Sequence, residues 1–516
     1  MSLNYEQQQA FQRYRDGHNL FLTGSAGTGK SHVLRSIIAD ARTRWDQQEP
    51  DGGKRYVGVT AMTGAAACLI GGMTLHSFAG IGLGVKSTND LVKKIQKKAQ
   101  LATRWRDCKL LVIDEVSMLS SDLFDKIHEI ACAVRQQPVT GALFGGVQLI
   151  ACGDFAQLPP IEKANQAIKF AFESKYWQKC LDTNTFYLTQ IIRQTDPAFQ
   201  AILLQARMGQ LTAESKKILK DRIITTDDFK DLVRSKEIHP TILYPYRAEV
   251  DSINQNKLDY LIKKGAENQS YYPQYSFLIH GYLNNYQKYH TRAELIKIFG
   301  KGTQIRTDLL EYPPLSGNRG NLRLDLCLGA QVILTHNLDL DRGLANGSRG
   351  IITGFQDTTP IVQFDNGVTI TLERAINVTE VLGADLLVGQ YPLQLAWAQT
   401  IHKAQGQTIS LVATNLSNCF SPGQAFVALS RGRTLEGSYL FGINFSNIKC
   451  HPKVKAYYQR FAYQCQWKQC QNSWQEYSYQ SQFAEFKSCP KCFPVFLEQR
   501  FGQLISDIIL KYLIEK

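Results

Sequence analysis

Apolar residues in this chain occur in short continuous runs, which alternate with stretches where they recur at a helical spacing. The spacing of Val33, Leu34, Ile37 and Ile38 predicts a helix. The runs predict buried strands, because a strand covered on both faces reads as a continuous apolar segment. They lie near Leu20, Tyr56, Leu110 and Val147, and again near Ile242, Val332, Leu411 and Tyr439. This alternation predicts an α/β fold with two parallel-sheet lobes.

A different pattern interrupts the second lobe. Shorter runs and the turn Asp365-Asn366-Gly367 predict a small β-rich insertion over residues 330–395. Residues 266–321 are rich in Tyr and Asn and are left as an unassigned insertion. The predicted organisation is a first lobe over 1–188, a second lobe over 189–329 and 396–447, and a C-terminal extension over 448–516.

The first predicted strand leads into the sequence Gly-Ser-Ala-Gly-Thr-Gly-Lys-Ser, which has the form of a phosphate-binding loop. Its backbone N–H groups would surround the phosphates of a nucleoside triphosphate. Lys30 would add a positive charge for the β- and γ-phosphates, and Ser31 a hydroxyl for Mg²⁺. The nucleotide-binding residues predicted here are Gly24, Ser25, Ala26, Gly27, Thr28, Gly29, Lys30 and Ser31.

Two further strand ends carry polar side chains suited to hydrolysis. The run Leu110–Ile113 ends in Asp114 and Glu115, and we expect Asp114 to hold Mg²⁺ through water while Glu115 orients and deprotonates the attacking water. An acidic surface turn after a core strand is the plain alternative. After the next run, Gln157 is placed to sense the γ-phosphate.

The strings Gly153–Pro160 and Asp114–Met118 resemble those of superfamily-one DNA helicases of the RecD and Pif-one branch. The resemblance implies two RecA-like lobes that close on ATP and a small β-barrel insertion that closes over DNA. It nominates Gln7 to read the adenine. It also implies that Arg193 and Arg431 reach the γ-phosphate from the second lobe, with Arg433 kept as a surface or structural residue.

The same resemblance places a set of polar and aromatic residues along a DNA channel: Thr74, His76, Phe78, His402 and Lys403. Without the resemblance these side chains would be read as ordinary packing or solvated surface. A basic insertion over residues 79–106 carries seven Lys or Arg residues against Asp90. It is predicted either as a solvated helix face or as a DNA contact near the strand-separating element.

Composition limits the classes of protein that fit. Of the 516 residues 44% are hydrophobic, which excludes general disorder, and the net charge of +13 suits a polyanionic partner. No apolar stretch approaches the ~20 residues that cross a bilayer. We therefore expect a soluble intracellular protein, in the nucleus or the cytoplasm, that has no membrane partner.

The chain has twelve cysteines, and most are expected to be reduced thiols. Cys465, Cys470, Cys489 and Cys492 have x₄ and x₂ spacings and form a candidate Zn²⁺ site. The spacing of the first pair is loose for zinc, so free or incidental thiols are the favoured alternative.

Together these features predict a DNA-dependent ATPase that translocates on single-stranded DNA and unwinds duplexes in replication, repair or recombination. The 5′-to-3′ direction is implied by the resemblance alone. Its partners would be single-stranded and forked DNA, with the protein acting as a monomer or a weak DNA-induced dimer. Two alternatives stay open: a RecD-like subunit of a larger complex, and a DNA-binding scaffold that uses ATP as a structural ligand.

Overall fold

The structure, a computed structural model, divides the chain into two compact units, Met1–Lys449 and Cys450–Lys516. In the second unit it describes a helix over residues 452–459. The residues described are 3–46, 56–82, 84–161, 167–234, 240–279, 288–291, 323–336, 338–339, 342–344, 347–381 and 384–459.

Helices and strands of the first unit are numbered along the chain. The helices are α1 (Tyr5–Arg15), α2 (Lys30–Ala41), α3 (Gly64–Leu69), α4 (Leu75–Ala79), α5 (Thr88–Gln96), α6 (Ala99–Asp107), α7 (Ser121–Val134), α8 (Lys175–Cys180), α9 (Pro197–Met208), α10 (Ala213–Asp221), α11 (Thr226–Arg234), α12 (Arg247–Lys263) and α13 (Gln424–Leu429). The strands are β1 (Leu20–Gly24), β2 (Val57–Ala61), β3 (Met73–Thr74), β4 (Leu110–Asp114), β5 (Gln148–Cys152), β6 (Thr185–Leu188), β7 (Thr241–Tyr244), β8 (Asn268–Tyr271), β9 (Gln274–Ile279), β10 (Lys288–Thr291), β11 (Leu324–Cys327), β12 (Gln331–Leu334), β13 (Arg349–Gln356), β14 (Thr359–Phe364), β15 (Thr369–Thr371), β16 (Ala375–Val381), β17 (Ala384–Gln390), β18 (Leu393–Leu395), β19 (Ala398–Thr400), β20 (Val412–Asn415) and β21 (Ser438–Gly442).

The first lobe is built on a parallel sheet of six strands in the order β3-β2-β4-β5-β1-β6. Every residue of β1, β2 and β4 is buried, as expected for strands covered by helices on both faces. β5 lies between β1 and β4, and it pairs with both. Because the strands are parallel, the loops after β1, β4 and β5 leave the sheet at the same edge.

The second lobe contains a smaller parallel sheet in the order β19-β7-β20-β21. Its core includes Phe199 of α9 and Phe426 of α13. These two sheets confirm the predicted α/β fold class.

One strand of the second series is not where the sequence pattern predicted it. Val332 lies in β12, which pairs antiparallel with β13 and β18 rather than joining the parallel sheet. All four residues of β12 are buried. A buried run reads the same in either kind of sheet, so the pattern could not separate them.

Strands β8 to β18 form three antiparallel sheets. The largest has the order β15-β14-β13-β12-β18, a second has the order β10-β9-β17-β16, and β11 pairs with β8. β9 comes from the segment that the sequence left unassigned, and it pairs with β17 along residues 384–389. The predicted limits of the domains stay predictions.

None of the described helices is long and apolar enough to cross a membrane. Within the described ranges, no three or more His, Cys, Asp or Glu side chains are grouped so that they could hold a metal ion. The four cysteines of the candidate Zn²⁺ site, Cys465, Cys470, Cys489 and Cys492, lie outside the described residues.

Candidate active site

The predicted phosphate-binding loop connects the end of β1 to the start of α2. All three of its glycines, Gly24, Gly27 and Gly29, have positive φ and close neighbours where a Cβ would stand. A Cβ at Gly24 would lie 2.4 Å from the carbonyl oxygen of Leu188, and one at Gly29 would lie 2.5 Å from Nε2 of Gln7. The loop therefore keeps its shape only with glycine at these positions.

Lys30 begins α2, and its ammonium bends back over the loop. Nζ donates hydrogen bonds to the carbonyl oxygens of Gly24 at 2.8 Å and Ser25 at 2.9 Å. Burial lowers the pKa of Lys30, and the charge of Asp154 opposes that shift. The Ser25 hydroxyl is buried and has no hydrogen-bond partner among the described residues. A glycine loop with a lysine, a spare hydroxyl and a helix N-terminus fits the phosphates of a nucleotide.

Gln7 lies directly against this loop. Its Oε1 accepts a hydrogen bond from the backbone N–H of Asn4, closing a capping box at the start of α1. Its Nε2 donates to the carbonyl oxygen of Thr28 at 3.4 Å. The structure thus places Gln7 next to the nucleotide loop, with its amide shared between the loop and the helix cap.

Asp114 and Glu115 stand at the end of β4. The backbone N–H of Glu115 donates to Oδ1 of Asp114 at 2.9 Å, and Glu115 has φ 52°, in the left-handed region that is costly for a side chain other than glycine. Burial, followed by the charge of Glu115, raises the pKa of Asp114 to about 7. The Asp114 carboxylate and the Ser31 hydroxyl are oxygen donors of the kind that Mg²⁺ prefers, and a cation held by Asp114 would favour the ionised acid.

The loop after β5 carries Asp154 and Gln157, both buried. Asp154 forms two hydrogen bonds with Arg207 of α9, at 2.9 and 2.8 Å. Burial alone would raise the pKa of Asp154, but the Arg207 guanidinium outweighs it and the pKa is lowered. The amide oxygen of Gln157 has no partner within the described residues. No pattern in the sequence pointed to the Asp154–Arg207 pair.

The segment that follows β6 connects the phosphate loop to the second lobe. Backbone N–H groups of Ile192 and Arg193 both donate to the carbonyl oxygen of Gly27, at 2.8 and 3.1 Å. Nη1 of Arg193 donates to the carbonyl oxygen of Ser430 at 3.5 Å, and Nε2 of Gln194 donates to that of Gly432 at 3.1 Å. Arg193 is thereby held between the phosphate loop and the residues after α13.

Arg431 is almost fully buried, whereas Arg433 is exposed. The Arg431 guanidinium donates to the Ser430 hydroxyl and to three backbone carbonyl oxygens, those of Val427, Ala404 and Gln407. Burial, then the charge of Arg193, lowers the pKa of Arg431 to about 9, while Glu115 opposes the shift. In this structure Arg431 therefore holds α13 against residues 404–407.

A contact that the sequence did not predict joins the two lobes. Nε2 of Gln405 donates to Oε2 of Glu115 at 2.9 Å, across 290 positions of sequence. Gln405 is buried, and its Oε1 has no partner among the described residues. His402 and Lys403 were predicted from the sequence as DNA contacts, but nothing in the spacing of this segment pointed to Glu115.

The residues predicted to contact DNA from the first lobe have different surroundings. Thr74 caps α4 by accepting from the N–H of Ser77. His76 is half-buried, and burial lowers its pKa. Phe78 is buried and packs edge-on against Trp105, with ring centroids 5.2 Å apart. This placement corrects the expectation that Phe78 offers a stacking face, because its ring is part of the core.

His402 and Lys403 follow β19 in the second lobe. Loss of surrounding water lowers the pKa of His402, and Nζ of Lys403 donates to Oε1 of Gln394 at 3.1 Å. The sequence missed an exposed aromatic pair in the same lobe. Tyr246 and Phe420 stack with centroids 5.0 Å apart and are 49% and 52% exposed. They follow the ends of the adjacent strands β7 and β20.

The predicted basic insertion forms two helices with an apolar side and a charged side. Leu91 and Ile95 of α5 and Trp105 of α6 are buried, whereas its lysines at 86, 93, 94 and 97 are exposed. The insertion therefore combines a packed inner face with a basic outer face.

The phosphate loop and the acidic strand end lie on one parallel sheet, and a lobe with a second parallel sheet contacts Glu115 through Gln405. Together these features define a two-lobed P-loop nucleoside triphosphatase. A family model described as PIF1-like helicase matches residues 2–217, and one described as DNA helicase Pif1, 2B domain, matches residues 318–355. The chain belongs to the PIF1-like helicase family, which confirms the resemblance found in the sequence.

Three relatives illustrate the match. The human ATP-dependent DNA helicase PIF1 is 36% identical over 88% of this chain, and the chain spans 63% of that relative's length. The crystal structure of the Pif1 helicase from Candida albicans is 33% identical with a TM-score of 0.69, covering 89% of this chain and 100% of that one. A solved structure described as the basis for DNA unwinding at forked double-stranded DNA by two coordinating Pif1 helicases contains a chain that is 28% identical, with a TM-score of 0.60. The match covers 90% of this chain and 98% of that one.

Proposed function

We propose that this protein is an ATP-dependent DNA helicase that moves 5′-to-3′ along single-stranded DNA and unwinds duplexes. The observation that carries the proposal is the meeting of both lobes at the phosphate loop, where Gln405 of the second lobe donates to Glu115 of the first. Hydrolysis at such a junction can be coupled to movement of one lobe against the other.

We assign the steps of ATP hydrolysis to residues of the first lobe. The phosphate loop with Lys30 binds the β- and γ-phosphates, and Glu115 orients and deprotonates the attacking water. Ser31 and Asp114 would hold Mg²⁺, which supplies charge neutralisation at the phosphates. Gln157 senses the γ-phosphate.

The second lobe would supply the remaining positive charge. Arg193 already lies beside the phosphate loop through its backbone bond to Gly27. Arg431 is the proposed second cation, and reaching the phosphate would require its guanidinium to exchange the carbonyl oxygens of residues 404–407 for phosphate oxygens. Such an exchange would connect the γ-phosphate to α13 when the lobes close, which is one route from ATP to movement.

DNA would bind across both lobes. The proposed contacts are Thr74 and His76 on the first lobe and His402 and Lys403 on the second, with Tyr246 and Phe420 providing ring faces for bases. Exposed rings beside basic side chains suit single strands of any sequence, because every base has a face that can stack. The net charge of +13 supports a polyanionic partner. A forked substrate, and two copies acting together on it, are proposed by analogy with the two Pif1 helicases that coordinate at forked DNA.

The test is the rate of ATP hydrolysis with and without single-stranded DNA, for wild type and for Glu115→Gln. Strong stimulation of the wild type and a silent variant are expected, followed by 5′-to-3′ unwinding of a forked duplex. A DNA-binding scaffold that keeps ATP as a structural ligand would instead bind both ligands and show negligible turnover. A rate that ignores DNA until a further protein is added would favour the RecD-like subunit.

A further inference from the structure

We propose that Gln405 is a positioning residue for the general base Glu115, and that it makes hydrolysis depend on the state of the DNA-facing loop, residues 400–407. The inference rests on the proposed function and adds to it the residue that connects the two ligands. Gln405 itself would touch neither ATP nor DNA.

Few contacts fix the orientation of the Glu115 carboxylate among the described residues. Its backbone is held at φ 52° at the start of the turn after β4. Within the described residues its carboxylate accepts one hydrogen bond, the 2.9 Å bond from Gln405 to Oε2. A hydrogen bond to a charged oxygen is among the stronger ones in proteins, so it can select one rotamer of a flexible acid.

The other carboxylate oxygen is left open by a neighbouring glycine. Gly406 has φ 83°, and a Cβ at that position would lie 3.6 Å from Oε1 of Glu115 and 3.3 Å from Cδ1 of Leu69. Gln405 thus holds one oxygen while Gly406 leaves space beside the other. A water hydrogen-bonded to Oε1 would then be fixed in direction.

The loop that carries Gln405 behaves as one piece because it is tied at several points. Nε2 of Gln407 donates to the carbonyl oxygen of Lys403 at 3.1 Å, and the N–H of Lys403 donates to Oγ1 of Thr400 at 3.3 Å. Within the loop, the N–H of Ala404 donates to the carbonyl oxygen of Thr400 and that of Gln407 to the carbonyl oxygen of Ala404, both at 3.1 Å. A shift of His402 and Lys403 on contact with a DNA strand would therefore move Gln405 as well.

The chemical consequence is a base that is aligned only when the loop is in place. A misplacement of about 1 Å at a reacting group can cost on the order of a hundredfold in rate. Loss of the Gln405 bond should thus lower kcat while leaving nucleotide and DNA affinity nearly unchanged, since the proposal gives this side chain no contact with either ligand.

The experiment uses the full chain with Gln405→Ala, Gln405→Met and the control Gln255→Ala. Gln405→Met keeps most of the length and volume of the side chain, adds no charge beside Glu115 and offers no N–H, so a residue needed only for packing would tolerate it. Gln255 is an exposed glutamine of the same lobe whose amide contacts Asp259 on α12. The quantities measured are kcat and KM for ATP at saturating single-stranded DNA, the Kd for a labelled oligonucleotide, and the thermal midpoint.

Both Gln405 variants should lose at least about tenfold in kcat, with KM and Kd within about twofold and a nearly unchanged thermal midpoint for Gln405→Met. Gln255→Ala should match wild type. Full kcat in Gln405→Met, or a parallel loss of DNA binding in both variants, would overturn the inference alone. A wild-type protein without DNA-stimulated turnover would overturn the proposed function, and the inference with it.

Discussion

Asp154 and Arg207 form a bidentate ion pair in which both side chains are almost fully buried, with donor–acceptor distances of 2.8 and 2.9 Å. Arg207 also donates to the Tyr187 hydroxyl at 2.8 Å. The pair fixes the loop after β5 to α9, beside the charge of Lys30. The pair therefore holds the loop that carries Gln157 in place, and its loss should destabilise the unit.

Removal of one partner of this pair should be costly. Arg207→Ala leaves the Asp154 carboxylate buried without its cation, so we expect the free energy of unfolding to fall by about 3–5 kcal/mol. Urea denaturation measures the change. Arg247→Ala breaks an exposed pair with Asp251 and should cost less than about 1 kcal/mol. If both variants lost the same small free energy of unfolding, burial would not explain the cost of breaking the Asp154–Arg207 pair.

Lys30→Ala should separate ATP turnover from DNA binding. The substitution removes the ammonium held over the phosphate loop, and we expect the DNA-stimulated rate to fall at least about a hundredfold. Affinity for single-stranded DNA, measured by fluorescence anisotropy, should stay within about twofold. Lys179→Ala, at an exposed lysine of α8, is the control. Equal loss of both activities would indicate misfolding or a misassigned loop.

Tyr246→Ala and Phe420→Ala should weaken binding to single-stranded DNA. Stacking of one base on a ring is worth about 1–3 kcal/mol, so the Kd should rise by about fivefold or more. Tyr260→Ala removes an equally exposed ring further along α12 and should leave the Kd unchanged. An unaltered Kd in both test variants would show that the exposed pair lies off the DNA path.

Phe78→Ala should behave differently, as a core substitution. We expect a loss of about 3–5 kcal/mol in the free energy of unfolding, because the ring fills space against Trp105. Substitution with Leu, which keeps most of the volume, should restore much of the stability and leave DNA affinity unchanged. A selective loss of DNA affinity in the stable Phe78→Leu variant would restore the original assignment.

His128 should make stability depend on pH. Its ring is buried, Nδ1 accepts from the N–H of Phe144 at 3.1 Å, and Nε2 lies 3.3 Å from the carbonyl oxygen of Val139. Burial lowers the pKa of His128, while Val139, Glu129 and Asp125 oppose the shift and Lys175 adds to it. A neutral ring that donates from Nε2 satisfies both contacts.

Because the folded pKa of His128 is below the unfolded value near 6.5, the unfolded chain binds more protons between the two. Stability is then fully present above about pH 6.5 and falls on acidification, by at most about 1.4 kcal/mol per pH unit from this group. Unfolding curves at pH 7.5 and 5.5 should show a smaller acid loss in His128→Gln than in wild type. An identical loss in the two proteins would assign the effect to other groups.

The nucleotide half of the site could be predicted because its residues follow one another directly. Gly24 to Ser31 and Asp114–Glu115 each stand at the end of a buried run, and parallel strands bring such ends to one edge. The hydrogen bond between Gln405 and Glu115 could not be predicted, because the two residues are 290 positions apart in the sequence. Only the folded arrangement of both lobes defines it.

The two errors of interpretation have a common cause. Val332 stands in a run that is buried in an antiparallel sheet, and Phe78 is an aromatic residue whose ring is covered by Trp105. In both, the residue type and local spacing agree with the prediction. The outcome depends on which distant element packs beside them, which a single sequence does not encode locally.

The double hydrogen bond from Ile192 and Arg193 to the Gly27 carbonyl has a mechanical consequence. The chain enters the second lobe through this segment, so an axis of lobe rotation placed here would pass close to the phosphates. Small displacements at an axis become large ones at the far end of a rigid body. Loss of one phosphate that shifts the phosphate loop by about an ångström would then move a DNA strand bound to the second lobe, far from the axis, by several ångströms.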